Sequence, residues 1–237
     1  MKGAAIAALL AALGGLVAPA SRLAAEEAVP PASQPVVVEL FTSQGCSSCP
    51  PANATLIALA DRPGVLALSF SVTYWDYLGW KDAFGRPEYT QRQVAYEPKL
   101  GQSGPFTPQM VVDGQASAIG YDRRQMEALI AASPRKSGPA LTLRPGRIEI
   151  GAARPGRGAA DVWLVRYDPR LVEVPVRRGE NSGRTLPHSH VVHGLARLGG
   201  WNGAAAAFKV PPAPDGLRTA VLVQESAGGP ILAAASD

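Results

Sequence analysis

The residues with the clearest chemical potential are Cys46 and Cys49, the only cysteines of this 237-residue chain, which are separated by two serines. They stand in the stretch ELFTSQGCSSCPP. Three interpretations fit such a pair: a redox-active dithiol, half of a metal site, or a structural disulfide. The stabilisation from a disulfide grows with the length of the loop that it closes, so a ring this short gains little. The redox interpretation is therefore favoured.

The metal interpretation needs further ligands, because a zinc site takes about four. The remaining candidates are His188, His190 and His193, which are all of the chain's histidines and lie within HSHVVH. On a strand the first two would share a face, and on a helix the last two would. Either pair could bind copper or zinc. The preferred interpretation is a polar surface cluster with no metal ligand, and copper or zinc handling through cysteines and a histidine stays open as an alternative function.

The segments around the cysteines predict a strand–helix junction. Residues 36–41 form an apolar, β-branched run of strand length, and two prolines follow Cys49 where a helix can begin. A second strand, residues 65–72, should pair in parallel with the first across the helix of residues 52–60. A helix that ends before Pro98, a hairpin at Asp113-Gly114 and a last helix follow. This order predicts an α/β domain over residues 34–133, with a mixed sheet flanked by helices.

The remainder of the chain has a different pattern. The stretch SPRKSGP reads as a linker, and short alternating runs separated by Gly and Pro follow it. We expect a mostly-β, sandwich-like module over residues 139–237. Residues 177–181 and 184–186 resemble a charged hairpin with a structural or interaction role. A non-catalytic binding module is thus a further alternative.

Residues 1–20 have the pattern of a secretory signal peptide. Lys2 precedes an apolar run, and Ala18 and Ala20 are small residues at the positions that a signal peptidase reads. The run is short for a spanning helix, so we expect a periplasmic or secreted protein without stable membrane insertion after cleavage. The net charge of +4 comes from scattered residues, without a basic block among aromatics. Nucleic-acid binding is therefore not expected.

The two cysteines are expected to divide the chemistry between them. A helix start exposes unpaired N–H groups and the positive end of the dipole, which would lower the pKa of Cys46 below the free value of about 8.5. Cys46 is then the attacking thiolate and Cys49 the resolving thiol. Hydroxyls of Ser47 and Ser48 could stabilise the thiolate, which would make the disulfide more oxidising, although the sequence leaves the redox direction open.

The motifs VVVELFTSQGCSSCPPA and SGPFTPQMVVDG resemble the thioredoxin superfamily. With YWDYLGW and RGENSGRTL they resemble, more narrowly, a family of secreted bacterial thioredoxin-like proteins of unknown function, over nearly the whole chain after residue 20. The resemblance implies a thioredoxin-like fold for the first domain. It also implies exchange with protein thiols or disulfides and with a redox partner protein, without a cofactor.

The same resemblance implies roles for further residues. Pro108 takes the place of a cis-proline beside the disulfide, where Thr107 could pair with a substrate backbone. Glu39 takes the place of a buried carboxylate that accepts a proton from the resolving thiol. The aromatic loop TYWDYLGWKDAF has two interpretations, a core plug or a rim for a peptide-like partner. On the second, Trp75 and Tyr77 bind substrate.

Overall fold

The computed structural model describes Met1 and residues 34–134, 136, 138–154 and 158–237. The predicted signal peptide lies outside the described residues except for Met1. No helix among the residues described is long and apolar enough to cross a membrane.

The described residues fold into helices and strands that largely follow the predicted order. The helices are α1 (Pro50–Ala60), α2 (Pro87–Leu100) and α3 (Arg123–Ala132), with a short 3₁₀ turn at Asp76–Leu78. The strands are β1 (Val36–Thr42), β2 (Val65–Ser71), β3 (Gln109–Val112), β4 (Ala116–Ala118), β5 (Leu141–Arg144), β6 (Arg147–Ile150), β7 (Ala160–Asp168), β8 (Val172–Pro175), β9 (Thr185–His188), β10 (Val191–Trp201), β11 (Ala206–Lys209), β12 (Arg218–Glu225) and β13 (Ile231–Ser236).

Helix α2 differs from the prediction that Pro98 stops it. The helix continues through Pro98 to Leu100, and Gly101 ends it in a left-handed conformation with φ of 65°. Pro98 lies in the last turn, so its missing N–H removes one intrahelical hydrogen bond without breaking a longer ladder. Glycine reaches positive φ without steric cost, which makes it the natural end of the helix.

The main sheet has eight strands in the order β13-β12-β7-β10-β2-β1-β3-β4. Strands β1 and β2 are parallel, as predicted, and β3 pairs antiparallel with β1. Strand β10 joins the outer edge of β2, where the N–H of Ser69 donates to the carbonyl of His190 at 2.8 Å. The sheet is therefore mixed, and β1 lies well inside it.

This topology corrects the expectation of a separate sandwich-like module over residues 139–237. Four strands of that segment extend the sheet of the first segment, and the described residues from Gln34 onward belong to one compact unit. The edge of β2 would otherwise present unpaired N–H and C=O groups, and β10 pairs with it at Val191 and Ser69. The rest of the segment adds a three-stranded sheet, β11-β6-β5, and the hairpin β8-β9.

The two faces of β1 belong to different parts of the core. Val38 and Leu40 pack in one cluster with residues of α1 and α3. Val37 and Phe41 pack in another with Tyr89 and Tyr96 of α2 and residues of β7, β10, β12 and β13. Successive side chains of a strand point to opposite faces, so α1 and α2 cover opposite sides of the central strand.

Candidate functional site

Cys46 and Cys49 form a disulfide with a Cα–Cα distance of 5.5 Å. Cys49 is the N-cap of α1, and Pro50 and Pro51 are its first residues. The expectation that Cys46 lies at the helix start is therefore wrong, because the chain makes a further turn between Cys46 and α1. Both cysteines are fully buried, whereas the intervening Ser47 and Ser48 are exposed.

The disulfide loop, residues 43–49, is folded by its own short-range hydrogen bonds. The N–H of Cys46 donates to the carbonyl of Ser43 at 3.2 Å, and the N–H of Cys49 donates to the carbonyl of Cys46 at 3.2 Å. The N–H of Gly45 donates to Ser43 Oγ at 3.0 Å. Ser48 Oγ lies 3.3 Å from Cys46 Sγ. The sulfurs are thus held in two consecutive tight turns.

A strap from the second half of the chain, residues 177–184 between β8 and β9, lies against this loop. The buried Asn181 donates through Nδ2 to the carbonyls of Gln44 at 3.0 Å and Cys46 at 2.8 Å. Glu180 Oε2 accepts from the N–H of Ser47 at 2.9 Å. The backbone N–H of Ser47, and to a smaller extent its side chain, form hydrogen bonds that lower the pKa of the Glu180 carboxyl. The strap therefore binds both the carbonyls and an N–H group of the loop.

The strap has glycine where its backbone conformation requires one. Gly179 has a φ of +77°, which residues with a Cβ rarely adopt, and its neighbours across the contact are Trp80 and Gly45. The sequence pattern indicates a structural or interaction role for this hairpin and assigns neither Glu180 nor Asn181 to the site. The one available signal was the motif RGENSGRTL in the family resemblance.

A buried carboxylate, Asp82, holds the loop from another side. Its Oδ2 accepts from the N–H of Gln44 at 2.8 Å, and its Oδ1 accepts from the N–H of Phe84 at 2.9 Å. Burial raises the pKa of Asp82, and these hydrogen bonds offset part of the rise. Trp80 Nε1 donates to Gln44 Oε1 at 2.8 Å. Sequence reasoning also missed Asp82.

The residues predicted to bind substrate lie in two different environments. Trp75 Nε1 donates to Thr107 Oγ1 at 2.7 Å, and a Cβ on Gly45 would lie 3.2 Å from Trp75 Cβ. Trp75 thus connects the disulfide loop with the Thr107–Pro108 segment. The Thr107–Pro108 bond is cis, which confirms that expectation, and Pro108 is buried. Tyr77, in contrast, projects from the 3₁₀ turn with 78% of its surface exposed.

The structure does not support the predicted role of Glu39 as a proton acceptor for Cys49. Glu39 lies on the face of β1 that packs against α2, whereas Cys49 caps α1 on the opposite face. Its carboxylate is already bound by Arg92, through Nε at 2.6 Å and Nη2 at 3.1 Å, and by the hydroxyl of Tyr96. Burial alone would lower the pKa of Arg92, but the Glu39 charge outweighs it and raises that pKa.

The three histidines do not form a single surface cluster. His188 is buried and His193 exposed, with their ring centroids 5.8 and 5.7 Å from that of Phe84. His190 stacks on Tyr167 instead. Burial lowers the pKa of His188 to about 4. Within the described ranges, no group of three or more His, Cys, Asp or Glu side chains could hold a metal ion.

These features define a mixed α/β protein with a disulfide at the junction of a central strand and a helix. Residues 37–224 match the family model described as "Protein of unknown function (DUF1223)", so the chain belongs to this family. It is 32% identical to protein AGR_C_4864 from Agrobacterium tumefaciens, a crystal structure, over 86% of this chain and 94% of that one, with a TM-score of 0.70.

A second solved structure shares the fold. HBP35 of Porphyromonas gingivalis is 16% identical over 86% of this chain and 75% of that one, with a TM-score of 0.56. The search of curated proteins found no match.

Proposed function

We propose that the protein is an exported thiol–disulfide oxidoreductase of thioredoxin-like architecture, which exchanges the Cys46–Cys49 disulfide with protein thiols. The observation that carries the proposal is that disulfide itself, closed at the junction of β1 and α1. Two separate segments hold its loop: the connection between β2 and α2, through Asp82 and Trp75, and the strap, through Asn181. The parallel β1-α1-β2 unit, followed by the antiparallel β3-β4 hairpin and α3, supports the thioredoxin-like part.

The exchange is balanced as a transfer of two electrons and two protons. A thiolate of the partner attacks one sulfur of the Cys46–Cys49 bond, and a mixed disulfide forms as the other cysteine leaves as a thiolate. The partner's second thiolate then releases the protein as a dithiol. In the opposite direction Cys46 attacks a partner disulfide and Cys49 resolves the mixed disulfide. We assign the mixed disulfide to Cys46, since it lies in the loop before α1 whereas Cys49 is the N-cap of that helix.

Access to the sulfurs requires a local opening. Both cysteines have no exposed surface, and a thiolate must reach a sulfur directly to displace the other. The strap and the loop are joined by hydrogen bonds from single side chains, so they can separate without unfolding the sheet. The exposed Ser47, Ser48 and Tyr77 provide the surface that a protein partner can contact first.

The experiment is an insulin-reduction assay driven by dithiothreitol, with the wild type, Cys46→Ser and Cys49→Ser. The wild type should accelerate insulin precipitation, and both variants should lose that activity. Cys49→Ser should in addition accumulate mixed disulfides through Cys46, detectable by mass spectrometry, because nothing remains to resolve them. If the wild type is no faster than Cys46→Ser, the disulfide is structural and the binding-module alternative replaces the oxidoreductase.

A further inference from the structure

Most of the backbone N–H groups in the disulfide loop donate to other acceptors and are not available to stabilise a thiolate at Cys46. Five loop residues already donate their N–H to other acceptors: Gln44, Gly45, Cys46, Ser47 and Cys49. Two of those acceptors are carboxylates, Asp82 on Gln44 and Glu180 on Ser47. Hydrogen bonds to the charged form of a group lower the pKa of an acid. Donors engaged elsewhere cannot do so for Cys46.

The start of α1 adds less positive potential than most helices provide. Cys49 is the N-cap, and the next two residues are Pro50 and Pro51. Proline has no N–H group, so Ala52 is the first residue of the helix that carries one. The positive end of a helix dipole resides largely on unpaired N–H groups of the first turn. The stabilisation expected for a thiolate at this helix start is therefore reduced.

Glu180 places a negative charge next to the nucleophile. Its Oε2 lies 2.9 Å from the backbone nitrogen of Ser47, the residue that follows Cys46. A nearby like charge disfavours a thiolate. The strap also carries three arginines, Arg177, Arg178 and Arg184. Arg184 donates Nη1 to Asn181 Oδ1 at 2.7 Å and is held by that amide. Asp82, which accepts from the N–H of Gln44, is a second carboxylate at the loop and opposes the thiolate in the same sense when ionised.

We propose that Glu180 is a positioning residue that disfavours the Cys46 thiolate, stabilises the Cys46–Cys49 disulfide, and thereby makes the reduced pair an electron donor. This inference rests on the proposed thiol–disulfide exchange. A cysteine pair whose reduced form is stabilised is a strong oxidant as a disulfide. A pair whose disulfide form is stabilised is, in its reduced form, a reductant. The direction is opposite to that expected from hydroxyls at Ser47 and Ser48.

The reducing reaction is balanced with two partners of stated class. The Cys46 thiolate attacks a disulfide of a substrate protein, whose other sulfur leaves as a thiolate. The Cys49 thiolate then attacks Cys46, the Cys46–Cys49 bond forms, and the substrate leaves as a dithiol. A dithiol of an upstream redox protein afterwards reduces the pair and supplies the two electrons.

The test compares Glu180→Gln, Glu180→Asp and the control Glu173→Gln, an exposed glutamate on β8. Each purified protein is equilibrated with dithiothreitol redox buffers, and the fraction of disulfide is measured after thiol alkylation. Removing a charge near a thiolate at the surface should raise the equilibrium constant for reduction about threefold in Glu180→Gln. Glu180→Asp should stay near the wild type, since it keeps the charge, and Glu173→Gln should not change.

Salt provides a second readout that a purely structural role would not affect. Raising the ionic strength from about 0.01 M to about 1 M shortens the screening length roughly tenfold. The wild type should become easier to reduce as salt rises, and Glu180→Gln should show a weaker trend. If Glu180→Gln proves less stable than the wild type, the salt dependence still tests the proposal, because the wild type by itself must become easier to reduce as salt rises.

Two results would overturn the inference: equal equilibrium constants for Glu180→Gln and the wild type, or a wild-type disulfide as easily reduced as that of a strong exported oxidant. Failure of the proposed function is separate. If the wild type reduces no protein disulfide but shows both the Glu180 effect and the salt trend, the charge effect on the disulfide stands. The proposed exchange activity and the electron-donor role are then refuted.

Discussion

The Glu39 carboxylate and the Arg92 guanidinium form a buried ion pair, with Nε to Oε1 at 2.6 Å and Nη2 to Oε2 at 3.1 Å. The hydroxyl of Tyr96 donates to the same carboxylate. The guanidinium also lies 5.7 Å from the ring centroid of Phe70 and 5.5 Å from that of Trp163. Because both charges are buried, each compensates the desolvation of the other. The pair fixes α2 to the central strand rather than serving the disulfide.

Glu39→Gln should therefore act on stability. The substitution leaves the Arg92 charge buried without its counter-ion, which typically costs about 3–5 kcal/mol of the free energy of unfolding. Urea denaturation monitored by circular dichroism measures it. The control Arg123→Ala removes an exposed pair with Glu127 on α3 and should cost less than about 1 kcal/mol.

The same variant separates stability from chemistry. Glu39→Gln protein that is folded at low temperature should keep the wild-type pH profile of disulfide exchange, because Glu39 lies on the face of β1 opposite α1. A change in that profile would restore Glu39 to the proton-acceptor role.

The burial of His188 leads us to expect that the folded protein loses stability in acid. Its pKa is lowered by burial to about 4, compared with 6.5 for the free side chain. Between these values the unfolded chain binds a proton at His188 that the folded protein does not bind, so stability falls as the pH falls through this window. The full difference corresponds to about 3 kcal/mol.

The measurement is the free energy of unfolding at several pH values between about 7 and 4. His188→Phe, which keeps a ring beside Phe84, should lose this part of the pH dependence. His193→Gln, the exposed neighbour, should retain it. A wild-type slope that matches the His188→Phe slope would show that His188 is protonated in the folded protein.

Local sequence patterns predicted the part of the fold that depends on neighbours along the chain. The apolar run before the cysteines, the prolines after them and the Asp113-Gly114 turn each appear where expected. Alternation also predicted most strands of the second half, but it could not identify their sheet. A period of two shows which side chains share a face, whereas the pairing of β10 with β2 joins His190 to Ser69 across the chain.

The candidate site divides in the same way. The cysteines and the cis bond before Pro108 follow from a local motif. Asn181 lies 135 positions from Cys46, whose carbonyl it binds, and an asparagine in a polar hairpin looks like an ordinary turn residue. Asp82 in a loop resembles a solvated aspartate until its two N–H donors are known. Glu39 has the strand position expected of a proton acceptor, but the residue that neutralises it, Arg92, comes from another element of the chain.

Asn181 should control access to the disulfide. Its Nδ2 holds the carbonyls of Gln44 and Cys46, and each such hydrogen bond contributes about 1 kcal/mol net. Asn181→Ala should therefore raise the population of the open loop about tenfold or more, since each 1.4 kcal/mol is a factor of ten. Reduction of the disulfide by glutathione should accelerate to the same extent, measured by mass after rapid alkylation.

The matched control is Ser182→Ala, an exposed strap residue whose hydroxyl donates to the carbonyl of Arg177, and its reduction rate should stay at the wild-type value. If Asn181→Ala reacts no faster while circular dichroism shows it folded, the strap is not the barrier, and the opening must occur on the side of Trp75 and Thr107.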